Sequence, residues 1–420
     1  MKRRTFLKYL AGGAAGVALS GRFSPNMFAL GQSVPGVTDE SIRLGFIGGF
    51  TDRTRSVEIY RGQKAVFDEV NAAGGIFGRQ VELVVAEDSN TRAAAETAAQ
   101  LLDEGVLAFT MIHGTDSTLS VLPYLAAQPG DPVTVIGPRT GAPGTLQSAY
   151  LKHIFMIRPT YVQEAANITR ALIRNGYSRV GTFLESDSFG RSGTLGVLET
   201  LKDEGLGIAA EATCESGTGF DSDFSRQVAH LRDAGVEAVM VSASSGEFAR
   251  FIMTARDAGW DVPVFGLSVT ASALSRLTEA EAASAKPPGS YTSSIAIATA
   301  FPLQNQSLPG LTNYRAIMDK WNPGVPSITK ADYQPGDYGA DSLEGYVGAQ
   351  VAAEALARAG EDLNRLKLNQ ALETIQGFDL GLGFRISFGP SDHQGIDSVG
   401  SAYAPDGSWI EVNNWSEVLG

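Results

Sequence analysis

The chain has 420 residues, of which 43% are hydrophobic and 19% charged, and its formal net charge is −13. A mean hydropathy of −0.02 is typical of a globular protein, and the lack of a basic excess argues against a nucleic-acid backbone or an anionic membrane surface as the main partner. The single cysteine excludes an intrachain disulfide, and four scattered histidines argue against a zinc site, so no cofactor or metal is expected.

The first segment, residues 1–31, resembles a bacterial twin-arginine export signal. Arg3 and Arg4 precede Phe-Leu-Lys and an apolar run rich in Gly and Ala. That run is shorter than the roughly 20 residues that a membrane span needs, and Ala29-Leu30-Gly31 fits a small-residue cleavage site. We therefore expect a periplasmic protein cleaved near Gly31; the alternative is an amphipathic helix of the fold.

From residue 42 onwards, short apolar runs alternate with helical repeats. The first half has predicted strands at 42–50, 81–87, 106–112 and 132–136 and predicted helices at 57–73, 92–104 and 118–127. The pattern restarts near Arg158, with helices at 161–175, 193–204, 224–234 and 247–259 and strands at 179–184, 208–214, 238–241 and 263–267. Strands separated by helices imply βαβ units, and hence an α/β fold with two doubly wound parallel sheets.

The region after Gly289 is less regular. We predict strands at 290–298, 395–403 and 408–412 and helices at 311–321, 337–359 and 363–376.

Six segments at the predicted strand ends are rich in Gly, Ser and Thr: 48–51, 113–117, 137–141, 187–190, 242–246 and 268–270. In open α/β sheets a ligand binds beyond the carboxyl ends of the strands, where helix N-termini favour anions. Helix capping explains any one of these hydroxyl residues equally well. Together, however, the six segments favour a cleft that holds a carboxylate through backbone amides and hydroxyls.

The sequence resembles the type I periplasmic solute-binding proteins of the leucine/isoleucine/valine-binding family. The resemblance covers about residues 41–415 and is carried by several motifs: IRLGFIGGFTDR, VNAAGGIFGRQVELVVAEDSN, IHGTDS, IGPRTGAPG, FMIRPTYVQEA, DSFGRSG and SFGPSDHQGID with DGSW behind it. NAAGGIFGR is the most distinctive of these motifs.

This resemblance implies two α/β lobes joined by three hinge crossovers, near 155–160, 288–296 and 384–395. Lobe 1 would comprise 41–157 plus 295–385, and lobe 2 would comprise 158–294 plus 386–420. The helical stretch at 311–376 would then return to the first lobe.

The resemblance also implies a ligand site between the lobes. The family's turns for the ligand carboxylate match Gly114, Thr115, Asp116 and Ser117 and also Thr140 and Gly141, and Phe189 stands at the family's aromatic position. Phe50, Thr51, Tyr161 and Ser244 are further candidates from the strand ends and the first crossover. Arg158 is interpreted as an interlobe ion-pair residue.

The family's acidic residue for the ligand ammonium falls at Ser268, which carries no charge. Because a buried ammonium needs a carboxylate partner, either Asp116 or Asp187 supplies that charge or the ligand has no amine. Asp116 would repel a carboxylate if ionised, and helix capping is its alternative role.

Binding without chemistry is therefore the predicted function. The protein would hold an amino acid or a related small carboxylate or amide, and it would deliver this solute, as a monomer, to an ABC permease. An enzyme is disfavoured because no G-x-G-x-x-G after the first strand, nucleophile elbow or P-loop is found, and His113 beside Asp116 is the one candidate base. A sensor that docks on a membrane receptor is the alternative binding role.

Overall fold

The computed structural model describes residues 34–51, 55–88, 93–336, 338–405 and 407–419. The predicted export signal at 1–31 lies outside these residues. Within them, no helix combines the length and the apolar character that crossing a membrane would require.

The first lobe is built on a five-stranded sheet in the order β2-β1-β3-β4-β5, and every pairing in it is parallel. Its strands are β1 Ser41–Gly48, β2 Gln80–Glu87, β3 Ala108–Ile112, β4 Val135–Ile136 and β5 Ile154–Phe155. The helices that pack with this lobe are Arg55–Ala72, Ala94–Asp103, Thr115–Ala126, Pro309–Trp321, Ala340–Ala359 and Arg365–Glu373. The short β5 is absent from the prediction, because its two residues carry no periodic signal.

Helices Arg55–Ala72 and Ala340–Ala359 cross at two glycines. A Cβ on Gly62 would lie 2.0 Å from the Ser342 carbonyl oxygen, and one on Gly345 would lie 2.0 Å from that of Ile59. Both values are far below van der Waals contact, so this crossing requires residues without side chains. The contact brings a segment that follows the second lobe back onto the first, as the resemblance implies.

The second lobe contains a seven-stranded sheet in the order β14-β13-β10-β9-β8-β6-β7. Its parallel strands are β6 Val180–Glu185, β7 Glu211–Cys214, β8 Ala238–Ser242, β9 Val264–Gly266 and β10 Ile295–Thr299. Two further strands pair antiparallel at one edge of the sheet: β13 Gly400–Tyr403 and β14 Ile410–Glu411. Its helices are Tyr161–Arg174, Ser188–Asp203, Ser225–Asp233, Ser245–Asp257, Ala273–Ala283 and Ser416–Leu419. The helix Ala273–Ala283 is absent from the prediction.

The second and third crossovers differ from the boundaries expected from the sequence. Strand β10 pairs with β9, so the chain leaves the second sheet after Thr299 rather than before residue 295. Residues 290–294 form a turn instead of a strand, because the Glu281 carboxylate accepts the backbone N–H groups of Tyr291 and Thr292. These donors are therefore not available to a sheet ladder.

The tail also stays on the first lobe longer than expected. Strand β12 Arg385–Ile386 pairs with β11 Phe378–Asp379, and Phe388 and Ile396 belong to the core of the first lobe. The chain joins the second sheet only at Gly400. The boundary at 385/386 therefore lies about ten residues too early, because the apolar side chains of 386–396 face the first core.

Candidate functional site

A cavity of about 760 Å³ lies between the lobes, and both lobes contribute to its wall. It is lined by Arg55, Glu58, His113, Gly114, Thr115, Arg139, Tyr161, Glu185, Phe189, Gly217, Gly219, Phe220, Ser244, Ser245, Gly246, Glu247, Val269, Ser272, Ser275, Arg276, Tyr333 and Asp341. Strands β3, β6 and β8 each end at a residue of this wall or within two residues of one. The cavity therefore lies where parallel sheets position ligands.

The wall of the first lobe includes the N-terminus of helix Thr115–Ala126. Gly114 precedes this helix with φ 105°, a conformation that favours glycine. The hydroxyls of Thr115 and Thr140 lie 2.9 Å apart, and Thr140 is fully buried behind the wall. The positive end of the helix dipole suits an anionic or carbonyl group of a ligand.

The wall of the second lobe combines another helix N-terminus with aromatic rings. Ser244, Ser245 and Gly246 begin the helix Ser245–Asp257. Tyr161 packs edge-on against Phe189 at 4.9 Å between ring centroids. This surface offers both polar groups and apolar rings to a small solute.

A buried ion network runs behind the cavity and connects the lobes. Arg158 is fully buried and donates to Glu344 of the first lobe at 3.0 Å and to Glu164 of the second lobe at 3.1 Å. Glu164 in turn accepts the backbone N–H of Ser268 at 2.8 Å. These contacts confirm Arg158 as an interlobe ion-pair residue.

Arg139 extends this network to the cavity wall. Its guanidinium pairs with Asp341 and with Glu344, which also binds Arg158. Burial lowers the pKa of Arg139, and the charge of Asp341 opposes this effect. Because its guanidinium already pairs with two carboxylates, Arg139 is a poor candidate for binding an anionic group of a ligand.

Five of the candidate ligand residues line the cavity: Gly114, Thr115, Tyr161, Phe189 and Ser244. Their contact with a ligand stays a prediction. The other eight candidates lie outside the lining: Phe50, Thr51, Asp116, Ser117, Thr140, Gly141, Asp187 and Ser268.

The reasons differ from residue to residue. Phe50 is fully buried against Phe46, at 5.5 Å between ring centroids, and Thr51 donates to Glu87. The helix begins at Thr115, three residues before its predicted start, so Ser117 lies in its first turn, where its hydroxyl bonds Asp88. Asp116 lies in that same turn and is partly buried.

The remaining three candidates contact other parts of the protein. The Gly141 carbonyl accepts the Tyr161 N–H at 2.7 Å. The carboxylate of Asp187 caps its own helix by accepting from Gly190. Ser268 lies between Arg158 and Glu164 and bonds both side chains, so its hydroxyl is already engaged by the interlobe ion pair.

Several wall residues were missed by the sequence analysis. Tyr333 and Asp341 come from the segment after the second lobe, and no local pattern places that segment at the cleft. Glu185 ends strand β6 two residues before the strand-end segment 187–190, so its position was a usable signal. Within the described residues, no group of His, Cys, Asp and Glu side chains is arranged to hold a metal ion.

Glu185 is a buried acid on the cavity wall, only 1% exposed. Its Oε1 accepts the Ser244 N–H at 2.7 Å, and its Oε2 accepts the Ser216 hydroxyl at 2.9 Å. Burial raises the pKa of Glu185 to about 7, the charges of Asp187 and Glu247 add to this rise, and the hydrogen bonding from Ser244 opposes it. The carboxyl group therefore changes its charge near neutral pH.

Comparisons with known proteins agree with this two-lobed architecture. The Leu/Ile/Val-binding protein homolog 8 of Brucella abortus is 24% identical over 378 residues, which cover 84% of this chain and 85% of that protein. A possible leucine/isoleucine/valine-binding protein from Rhodopirellula baltica is 21% identical, with a TM-score of 0.77 over 93% of this chain and 100% of that one. A branched chain amino acid ABC transporter from Thermus thermophilus with bound valine is 19% identical, with a TM-score of 0.74 over 90% of this chain and 97% of that one.

The family assignment comes from a match to a whole-family model. The model described as "Periplasmic binding protein" matches residues 41–407, which include both lobes. The match confirms the resemblance and the two-lobed α/β fold. The chain therefore belongs to the periplasmic binding protein family, whose members bind solutes and are not enzymes.

Proposed function

We propose that this protein is the substrate-binding component of an ABC importer. It holds an amino acid or a related small carboxylate or amide between its lobes and delivers it, as a monomer, to a membrane permease. The observation that carries this proposal is the cavity of about 760 Å³ whose wall combines helix N-termini from both lobes. A solute that bonds both walls is fully coordinated only when the lobes approach, so binding favours the closed arrangement.

The names of similar proteins support this class of ligand. One is a leucine-, isoleucine-, valine-, threonine-, and alanine-binding protein from Pseudomonas aeruginosa, 24% identical over 208 residues, which are 49% of this chain and 54% of that protein. Another is a fatty acid ABC transporter substrate-binding protein from Thermomonospora curvata, 24% identical with a TM-score of 0.75. The second name extends the range of candidate solutes to carboxylates without an amine.

Export to the periplasm by the twin-arginine route, with cleavage near Gly31, is part of the proposal. It rests on the paired arginines Arg3 and Arg4 and the short apolar run behind them. A fusion of residues 1–31 to a reporter that needs this route tests it, with Arg3→Lys plus Arg4→Lys as the control. Export that persists in the double variant would contradict the route.

A thermal-shift screen of amino acids, amides and short carboxylates tests the binding function. A solute at 100 times its Kd should stabilise the protein by about 2.7 kcal/mol. Thr115→Ala removes a hydroxyl from the cavity wall and should weaken binding about tenfold, the effect of losing one hydrogen bond. Ser120→Ala, at a partly buried position of the same helix that does not line the cavity, is the matched control and should bind as the wild type does. A screen without any stabilising solute would contradict the proposal.

A further inference from the structure

Two carboxylates on the second-lobe wall lie together without a compensating cation. Glu185 and Glu247, called the acidic pair below, are 1% and 2% exposed, and both line the cavity. Among the described residues, neither has a Lys, Arg or His nitrogen within 4.0 Å. Asp187, whose Oδ2 atom is buried without a hydrogen bond, adds a third negative charge to their surroundings.

One oxygen of the acidic pair is available to a ligand. Glu247 Oε1 accepts the Gly219 N–H at 2.7 Å, whereas its Oε2 atom has no hydrogen-bond partner within the described part of the chain. This oxygen is not among the fully buried atoms that lack a partner, so it is reached from the cavity although the residue as a whole is only 2% exposed. Because this side chain lines the cavity, a bound molecule is the natural partner for that oxygen.

None of the three arginines that line the cavity forms an ion pair with the acidic pair in the described part of the chain. Arg139 pairs with Asp341 and Glu344. Arg55 donates to the Val269 carbonyl oxygen, and Arg276 lies over the Phe220 ring at 5.7 Å. The acidic pair therefore has no guanidinium at ion-pair distance, and a buried carboxylate in its charged form is unfavourable without a positively charged partner.

We infer that the acidic pair receives a positively charged organic group of the ligand, such as an amine or a guanidinium. This inference rests on the proposed function and adds to it a charge requirement and a location. The cation would bind at the end of β6 and at the start of helix Ser245–Asp257, not at Ser268, where Arg158 already bonds Glu164 and the serine hydroxyl. A metal ion is a poor alternative, because no set of ligands converges among the described residues.

Protonation of Glu185 competes with the bound cation. The titratable groups that face Glu185 are Asp187 on its own segment, Cys214 at the end of β7 and Glu247 on the neighbouring helix. An aliphatic amine stays charged to about pH 10, so the protein group sets the pH dependence. Affinity for a cation should therefore increase from pH 6 to pH 8 as Glu185 loses its proton.

Matched compounds test the charge requirement directly. Calorimetry would compare three sets, each made of an amino acid, its carboxylate without the amine and a related amine without the carboxylate: L-leucine, 4-methylpentanoate and 3-methylbutylamine; L-phenylalanine, 3-phenylpropanoate and 2-phenylethylamine; and 4-aminobutyrate, butyrate and butylamine. In the sets that bind, the amine-bearing compounds should bind at least tenfold more tightly than the compound without an amine. Their affinity should increase from pH 6 to pH 8.

Glu247→Gln should lower the affinity for the amine-bearing compounds at least tenfold and change the affinity for the amine-free compound less than twofold. Glu199→Gln, an equal change of charge at an exposed position of the same lobe, is the control and should change neither. Equal or tighter binding of an amine-free compound would overturn the cation site while leaving solute binding intact. Absence of binding by any compound of the three sets would also overturn it, and if the broad thermal-shift screen likewise found no ligand, the proposed function would fail with it.

Discussion

At the scale of single residues, the site depends on how the protein handles buried charge. Arg158, Glu164 and Glu344 neutralise one another across the lobes, whereas Glu185 and Glu247 have no such partner. The sequence identified Arg158 correctly as an interlobe ion-pair residue from its place before Pro159 at the first crossover that the resemblance implies. It did not identify Glu185, because a strand-end carboxylate is equally typical of a solvated loop.

The protonation of Glu185 makes stability depend on pH. The pKa of Glu185 is raised to about 7 in the folded protein, above an ordinary value near 4.5, so the folded state binds the proton more tightly than the unfolded state. The stability that this provides is complete below about pH 4.5 and is lost as the pH rises through 7, with an upper limit on the order of 3 kcal/mol. Glu185→Gln keeps acceptor and donor atoms for Ser244 and Ser216 and should remove this loss. Urea unfolding of the wild type and of Glu185→Gln between pH 5 and pH 8 measures this loss. If the free energy of unfolding changes with pH equally in both proteins, the assignment of the pH dependence to Glu185 is wrong.

At the scale of secondary-structure elements, local patterns were sufficient for most helices and strands. Apolar runs such as Val81–Glu87 and the Gly74-Gly75 pair predicted strand β2 and the end of helix Arg55–Ala72 within a residue or two. The errors occurred where distant contacts decide the structure. Residues 290–294 form a turn because Glu281 binds their N–H groups, and Phe50 turns inward because Phe46 is beside it.

The crossing of helices Arg55–Ala72 and Ala340–Ala359 gives a test at this scale. Gly345→Ala would place a methyl group 2.0 Å from the Ile59 carbonyl oxygen, so the helices must separate. Overpacking of this kind costs typically about 1–3 kcal/mol, against a gain of at most about 1 kcal/mol from the better helix propensity of alanine. Chemical denaturation should show the net loss. Gly207→Ala, where a Cβ would meet nothing within 4 Å, is the control; equal stability of the two variants would contradict the close approach.

At the scale of the whole molecule, the lobes are coupled by the buried network at the first crossover. Arg158→Met removes the cation between Glu344 and Glu164 and leaves two buried carboxylates without it, so it should cost about 3–5 kcal/mol. Arg191→Met breaks an exposed pair with Glu211 and should cost no more than about 1 kcal/mol. Thermal unfolding of the wild type and the two variants measures these losses of stability. Similar small losses would show that the network contributes little to holding the lobes.

The two doubly wound sheets followed from the alternating pattern of strands and helices, whereas the three crossovers and the return of the chain to the first lobe followed from the resemblance. Helical spacing at 337–359 predicts a helix, but only the family pattern places that helix on the first lobe. The cavity was less predictable, because Tyr333 and Asp341 reach it from a segment far along the chain. Local sequence therefore predicted the strand ends that contribute to the wall, while the residues that close it depend on the tertiary fold.

The central claim is that a small solute binds between the lobes and draws them together. The most direct measurement is the distance between spin labels on Asp332→Cys and Glu279→Cys, two exposed positions on opposite lobes. The native Cys214 interferes little, since it is buried and burial raises the pKa of its thiol. A solute that raises the melting temperature should shorten this distance and narrow its distribution. An unchanged distance at saturation, or no stabilising solute at all, would contradict the account.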